Sequence, residues 1–246
     1  MGALDGKIAL VSGAGKNIGR AIALHLARDG ATVVVNGRSD SAAVDAVVAE
    51  INAQGGQARA EMADVGDESA VAAMMARIGA LDILVCNAGL RRQTAFLEMG
   101  FAEWREILSV ALDGAFLLAR HAAPLMVARG GGAIVALSGI STHLGTPQRA
   151  HVSASKAGLE GLMRALAVEL APHGIRANSV APGAVDTVRG ASAGAMPQGL
   201  GRDSGIPLGR KASVDDIARM VRFLAGPEGG QITGQTMHVN GGAFLT

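Results

Sequence analysis

Short apolar, β-branched runs alternate with longer stretches of helical spacing from one end of the chain to the other. Residues 7–11 (KIALV) form a compact apolar run that stops at a glycine cluster, which predicts a buried strand. Over residues 18–28, Ile18, Ile22 and Leu26 recur at four-residue spacing, the signature of a helix with one apolar face. Residues 32–36 (TVVVN) predict a second strand, 42–53 a helix and 58–65 a third extended segment. Asp67 is placed to cap a helix over Glu68–Ile78. Strands are expected at 82–86 and 133–137, separated by a long helical stretch over 101–129. A helix over 152–170, a strand at 176–180, a helix over 215–224 and a strand at Thr236–Val239 complete the series.

Repeated strand–helix–strand units with nearly all-apolar strands predict an α/β fold. The expected architecture is a Rossmann-type doubly wound parallel sheet of about seven strands, helices on both faces, in one domain spanning residues 1–246. The Gly/Ser/Ala-rich segment 190–205 departs from the pattern, so a mobile substrate loop is expected over about residues 186–208.

Composition narrows the function. Hydrophobic residues make up 49% and charged residues 17%, with a net charge of +1, which excludes intrinsic disorder and nucleic-acid binding through a strong basic field. One cysteine, Cys86, excludes a disulfide framework, and the histidines have no metal-ligand spacing, so no metal is expected. No apolar run approaches the roughly 18–20 residues of a membrane span, and residues 1–7 lack a signal-peptide pattern. A cytoplasmic protein that engages neither membrane nor nucleic acid is the expectation.

The first strand leads directly into Ser12-Gly13-Ala14-Gly15-Lys16-Asn17-Ile18-Gly19 and a helix. Glycines there let the backbone approach a pyrophosphate, and the helix N-terminus offers free N–H groups and positive potential. After the second strand comes Asn36-Gly37-Arg38-Ser39, with no carboxylate to bond a ribose 2′-hydroxyl. Arg38 and Lys16 instead suit a 2′-phosphate, so NADP(H) is expected in preference to NAD(H).

These motifs do not stand alone. With Asp64-Val65, Asn87-Ala88-Gly89, Ser155-Lys156, Pro182-Gly183, Thr187, the run Ile206-Pro207-Leu208-Gly209-Arg210, and Ile232-Thr233-Gly234-Gln235 through Val239-Asn240-Gly241-Gly242, the chain resembles the short-chain dehydrogenases/reductases. The resemblance covers essentially the whole chain and points to the 3-oxoacyl-acyl-carrier-protein reductase branch. It implies a cofactor site of Ser12, Gly13, Gly15, Lys16, Asn17, Ile18, Gly19 and Arg38, with Asp64 and Val65 flanking the adenine. Asn87, Ala88 and Gly89 line the cofactor, Lys156 holds its ribose, and Pro182, Gly183 and Val185 lead to Thr187 at the nicotinamide carboxamide. Asn17 replaces a family glycine; asparagine tolerates a left-handed backbone, so the turn is expected to survive with lowered nucleotide affinity.

The resemblance also implies a carbonyl/alcohol reaction driven by a tyrosine, a lysine one helical turn later, a serine and an asparagine. Here the pattern breaks. The lysine is Lys156, but four residues earlier stands Val152, the serine position is Gly139 and the asparagine position is Ala111; the chain contains no tyrosine. Valine neither donates nor accepts a proton. Acid–base catalysis is worth about 10²–10⁴-fold, so an ordinary mechanism on these residues is slow. Replacements considered are His151, His143, or a water on Lys156 positioned by Ser141 or Thr142, with Ser138 adjacent to the serine position. Two other readings compete with an oxidoreductase of non-standard proton delivery: a nucleotide-binding pseudoenzyme or scaffold subunit, and non-redox lyase, isomerase or hydrolase chemistry. Arg91 and Arg92 follow Asn87-Ala88-Gly89 and overlook the expected cleft, where an anionic substrate such as a carboxylate, acyl-CoA or carrier-protein phosphopantetheine could meet them. By resemblance the protein is a homo-oligomer, dimer or tetramer, acting on a small-molecule or acyl-thioester substrate.

Overall fold

β-branched and alanine-rich runs that carry apolar side chains on both faces have to be covered on both faces, and the chain satisfies this with a single twisted sheet. The computed structural model describes residues 2–188 and 205–246. Its strands are β1 (Ile8–Val11), β2 (Thr32–Gly37), β3 (Gln57–Met62), β4 (Ile83–Cys86), β5 (Gly132–Leu137), β6 (Ile175–Pro182) and β7 (Thr236–Val239). They lie in the order β3-β2-β1-β4-β5-β6-β7, every neighbouring pair parallel. The order reverses between β1 and β4, and in such sheets the crevice at the carboxyl ends of the two reversing strands is where ligands bind.

Helices α1 (Asn17–Arg28), α2 (Ser41–Ala53) and α8 (Val214–Ala225) cover one face. The periodic residues Ile18, Ile22 and Leu26 of α1 all face that core. On the other face lie α3 (Glu68–Ile78), α5 (Gly114–Ala128) and α7 (Ala150–Glu169), packed on Leu10, Val34, Leu84 and Ile134, while α4 (Phe101–Leu108) packs against α7. The short helix α6 (Ser141–Leu144) follows β5. Asp67 caps α3 by accepting from the Ala70 N–H at 2.9 Å, as its position in the sequence predicts. Ser213 and Asp216 form a reciprocal capping box at α8.

Two expectations change. The helical stretch over 101–129 is interrupted by a π-helical turn at Ser109–Asp113, which joins α4 to α5. The continuous helix Phe101–Ala128 is also long and apolar enough, at a mean hydropathy of 1.3, to meet the length and composition of a membrane span. In this fold its apolar inner face is taken up by the sheet, through Ala115, Leu118, Ala119, Ala122 and Met126. Most of the expected loop over 186–208 lies outside the described residues.

At the amino ends of the strands, Asp82 ties three elements together. Its carboxylate, 3% exposed, accepts from the Ile8 N–H at 2.9 Å, Lys7 Nζ at 3.2 Å, and Arg129 Nε and Nη2 at 3.2 and 3.1 Å. Burial alone pushes its pKa up, but Arg129, the Ile8 N–H and Lys7 together outweigh burial and hold it below the usual carboxylate range. A depressed folded pKa means stability that is present above about pH 4 and lost as pH falls through the folded value. Asp82→Asn is expected to cost about 3 kcal/mol in urea unfolding at pH 7, with the difference from the parent shrinking below about pH 4.

Candidate active site

At the carboxyl end of β1, Ser12 uses the full capacity of its hydroxyl. Its Oγ accepts from the Asn87 and Ala88 N–H groups at 3.0 and 3.1 Å and donates to the Val85 carbonyl at 3.2 Å. The Asn87 amide returns the contact, donating to the Ser12 and Gly13 carbonyls at 2.9 Å each. Gly13 has a positive φ of 61°, and a Cβ there would stand 3.0 Å from the Ala88 Cα. A Cβ on Gly19 would lie 2.4 Å from the Gly13 carbonyl oxygen. The cradle therefore exists only with glycine at both positions, and its free space faces the start of α1. That geometry fits a dinucleotide pyrophosphate.

Asn17 does adopt the left-handed backbone, with φ 50°. It also has a function the sequence did not disclose. Its Nδ2 donates to the Val188 carbonyl at 2.9 Å, and its Oδ1 accepts the Val188 N–H at 3.0 Å. This closes a two-way clasp between the glycine loop and the segment after β6.

The cleft so formed has a volume of about 440 Å³. Lys16, Arg38 and Asp64 line one end of it, and Gly183, Val185 and Thr187 line its β6 side. Arg38 pairs with Asp64 at 3.8 Å, both side chains being about half exposed. Asn36 turns its amide inward to the Glu61 and Ala63 carbonyls at 3.0 and 3.2 Å. Of the residues implied by the resemblance, Gly13, Lys16, Asn17, Ile18, Gly19, Arg38, Asp64, Val65, Asn87, Ala88, Gly89, Gly183, Val185 and Thr187 all line this one cleft. Ser12 and Gly15 act behind it, Gly15 lying close to Ala43 of α2. Pro182 ends β6, its carbonyl accepting from the Ile140 N–H at 3.0 Å.

Val152 and Lys156 leave the same face of α7, one turn apart, and both are buried. The Lys156 Nζ donates to the Leu137 carbonyl at 2.5 Å, and a Cβ on Gly89 would be 3.5 Å from it. Burial, reinforced by the charge of Arg91, drives its pKa down from 10.5 to about 7. Nearby Cys86 is inert, its thiol pushed up to about 12 by burial. A Cβ on Gly139 would meet nothing nearer than the Ser141 Oγ at 3.7 Å, so a side chain fits there and Ser141 is the hydroxyl beside it. Ala111 lies within the π turn, buried.

The two candidate histidines are each paired with a carboxylate. His151 is fully buried; its Nδ1 accepts the Val152 N–H at 3.0 Å, and its Nε2 meets Glu103 of α4 at 3.2 Å. Being one residue before Val152, its ring projects toward α4, as a 100° helical step requires. His143 meets Glu160 at 3.2 Å and packs against the rings of His238 and Phe244 at 4.8 and 5.1 Å. Ser138 also donates to Glu160, and Thr142 donates to it at 3.3 Å. Glu160 follows Lys156 by four residues, so helical spacing alone could have flagged it as the next member of that buried face. Arg91 lines the cleft, whereas Arg92 is taken up by a bidentate pair with Glu106 on α4. Arg149 and Lys211 also line the cleft, and no sequence motif pointed to them.

A family model described as enoyl-(acyl carrier protein) reductase matches residues 13–243. The 3-oxoacyl-[acyl-carrier-protein] reductase FabG of Staphylococcus aureus is 41% identical over 245 residues, covering 97% of this chain and 98% of that protein. The 3-oxoacyl-[acyl-carrier-protein] reductase of Synechocystis is 38% identical over 253 residues, with both chains fully covered. Among solved structures, 7α-hydroxysteroid dehydrogenase complexed with NADH and 7-oxo glycochenodeoxycholic acid aligns with a TM-score of 0.87 and 32% identity, covering 97% of this chain and 94% of that one. The chain belongs to the short-chain dehydrogenase/reductase family of NAD(P)-dependent oxidoreductases. Within that family it is similar to the 3-oxoacyl-acyl-carrier-protein reductases.

Lys156 offers a test of the buried site that needs no substrate. With a folded pKa near 7 against 10.5, the unfolded chain binds one more proton between those values, so this group makes stability rise with pH across that window. Lys156→Met is expected to remove that rise, read as the difference between variant and parent melting temperatures from pH 6 to 10. A difference that stays constant with pH would mean that Lys156 titrates normally.

Proposed function

We propose that the protein is an NADP(H)-dependent oxidoreductase that interconverts a carbonyl and an alcohol, with Lys156 carrying the proton in place of a tyrosine. The observation that carries this reading is the buried Lys156 Nζ, poised near neutrality beside a glycine cradle that only a closely approaching backbone-bound group would need. When bound, the nicotinamide supplies or accepts the hydride. The protein's own part is to hold the pyrophosphate on the N–H groups at the start of α1. Lys16 and Arg38 meet a 2′-phosphate, and Thr187 fixes the ring end. A lysine with pKa about 7 is half protonated at neutral pH, so Nζ can release its proton to the developing alkoxide or take one from an alcohol. Ser141, beside Gly139, orients the substrate oxygen. His151 and His143 act as positioning residues through Glu103 and Glu160.

The names of the bacterial relatives support an acyl thioester as substrate. Pairing of two copies through α5 and α7 is supported by Phe116, Val127 and Val168, large apolar side chains left exposed on those helices.

Arg38→Gln is expected to lower NADPH affinity about 10-fold or more while leaving NADH affinity within about twofold, measured by fluorescence titration. The catalytic reading is checked by building back the family groups. The triple change Val152→Tyr, Gly139→Ser and Ala111→Asn is expected to raise kcat with a 3-oxoacyl thioester by about 10²-fold or more. A parent chain that binds NADPH but turns over no carbonyl in a broad panel would instead be a nucleotide-binding scaffold.

A further inference from the structure

In the sheet β6 stands three places from β1, with β4 and β5 between them. At about 4.8 Å per strand, the carboxyl ends of β1 and β6 are roughly 14 Å apart. Sheet pairing gives them no reason to touch, yet the segments that follow them do. The chain after β6 is carried toward α1 in braced steps. The Gly183 N–H donates to the Val239 carbonyl at 3.0 Å. Val185 then bridges Ala212, the Asp186 N–H donating to the Ala212 carbonyl and the Ala212 N–H to the Ala184 carbonyl, each at 2.9 Å. Thr187 and Val188 reach the start of α1, where Asn17 takes both main-chain groups of Val188.

The residue type suits that task. A primary amide carries a donor and an acceptor side by side, so Asn17 pairs with Val188 much as a neighbouring strand would. Aspartate lacks the donor and glycine lacks both groups. The left-handed φ of 50° is one that asparagine tolerates. Both bonds lie at the surface, Val188 being 81% exposed, so water competes for them and the clasp costs little to open. Gly13, Asn17, Thr187 and Val188 line the same cleft. Ser12 and Asn87 tie the glycine loop to the end of β4, and the clasp ties it to the segment after β6. Because β4, β5 and β6 are themselves paired, these bonded segments close into a ring around the cleft.

We infer that Asn17 is a positioning residue whose clasp on Val188 straps the cleft, so that a nicotinamide dinucleotide enters and leaves only when the two bonds open. The inference rests on the nucleotide-site reading for the identity of the ligand; the strap itself stands on the two bonds and the strand order. Such a strap is made whether or not the cleft is filled. It therefore sets the speed of exchange in both directions and leaves affinity nearly unchanged.

Stopped-flow mixing of the full chain with NADPH, followed by nucleotide fluorescence, gives the association and dissociation rates. Asn17→Gly is expected to raise both about tenfold while Kd stays within about threefold. Val188→Pro removes the N–H that Asn17 accepts and leaves the glycine loop untouched. It is expected to raise both rates about threefold, and the double variant is expected to go no further than Asn17→Gly alone. In the nucleotide-free chain, hydrogen exchange at the Val188 amide is expected to be about fivefold faster or more in Asn17→Gly. That reading holds even if Val188→Pro does not fold. Four results overturn the inference: rates within about twofold of the parent in Asn17→Gly, a change confined to one direction, effects that multiply in the double variant, or unaltered exchange at Val188. Faster dissociation alone, with an equal loss of affinity, would make Asn17 a direct contact of the nucleotide instead. A parent chain that binds neither NADPH nor NADH strikes the nucleotide reading and this one with it, whereas binding with unmoved rates strikes the strap alone.

Discussion

The Ser12 hydroxyl is the contact on which the rest of the molecule depends. Three bonds from one oxygen join β1 to the strand that lies across the reversal of sheet order, and the Asn87 amide doubles the connection. A parallel sheet opens a crevice wherever its strand order turns, but nothing in sheet geometry sets how wide that crevice is. Here side chains set it, and the glycines at 13 and 19 then have to be glycines because Asn87 and its neighbours already occupy the space a Cβ would need. Nucleotide binding is a property of backbone fixed from behind.

The other end of the cleft is built on a different principle. Val152, Lys156 and Glu160 form a buried stripe along α7, with a cation held by one carbonyl in the middle and a carboxylate gathering Ser138, Thr142 and His143 one turn on. Glu160 draws the nearby hydroxyls and imidazole to itself. Glu103 does the same for His151 and Thr94. The effect is that these polar groups are engaged with one another, while Lys156 has one carbonyl as its bonded partner and a lowered affinity for protons.

Much of this was legible in the chain. Strand runs with both faces apolar, the glycine cluster between a strand and a helix, and the spacing of Val152 to Lys156 are local signals, each contained within about a dozen residues. The features that escaped are those that join distant segments. The Asn17–Val188 clasp spans 171 residues, and the His151–Glu103 contact spans 48. Arg149 sits in a stretch whose spacing resembles no motif, and it lines the cleft directly after Gln148, whose backbone is left-handed. The π turn was hidden for the opposite reason: an added residue in a helix shifts the apolar period too little to read through an alanine- and leucine-rich stretch.

That turn is a matter of main chain more than of side chains. Ser109–Asp113 keeps its widened winding around Ala111, Gly139 keeps open space, and α7 keeps the phase that aligns residues 152 and 156. The main chain around positions 111, 139 and 152 is therefore set by the winding of two helices and one loop rather than by the side chains it carries.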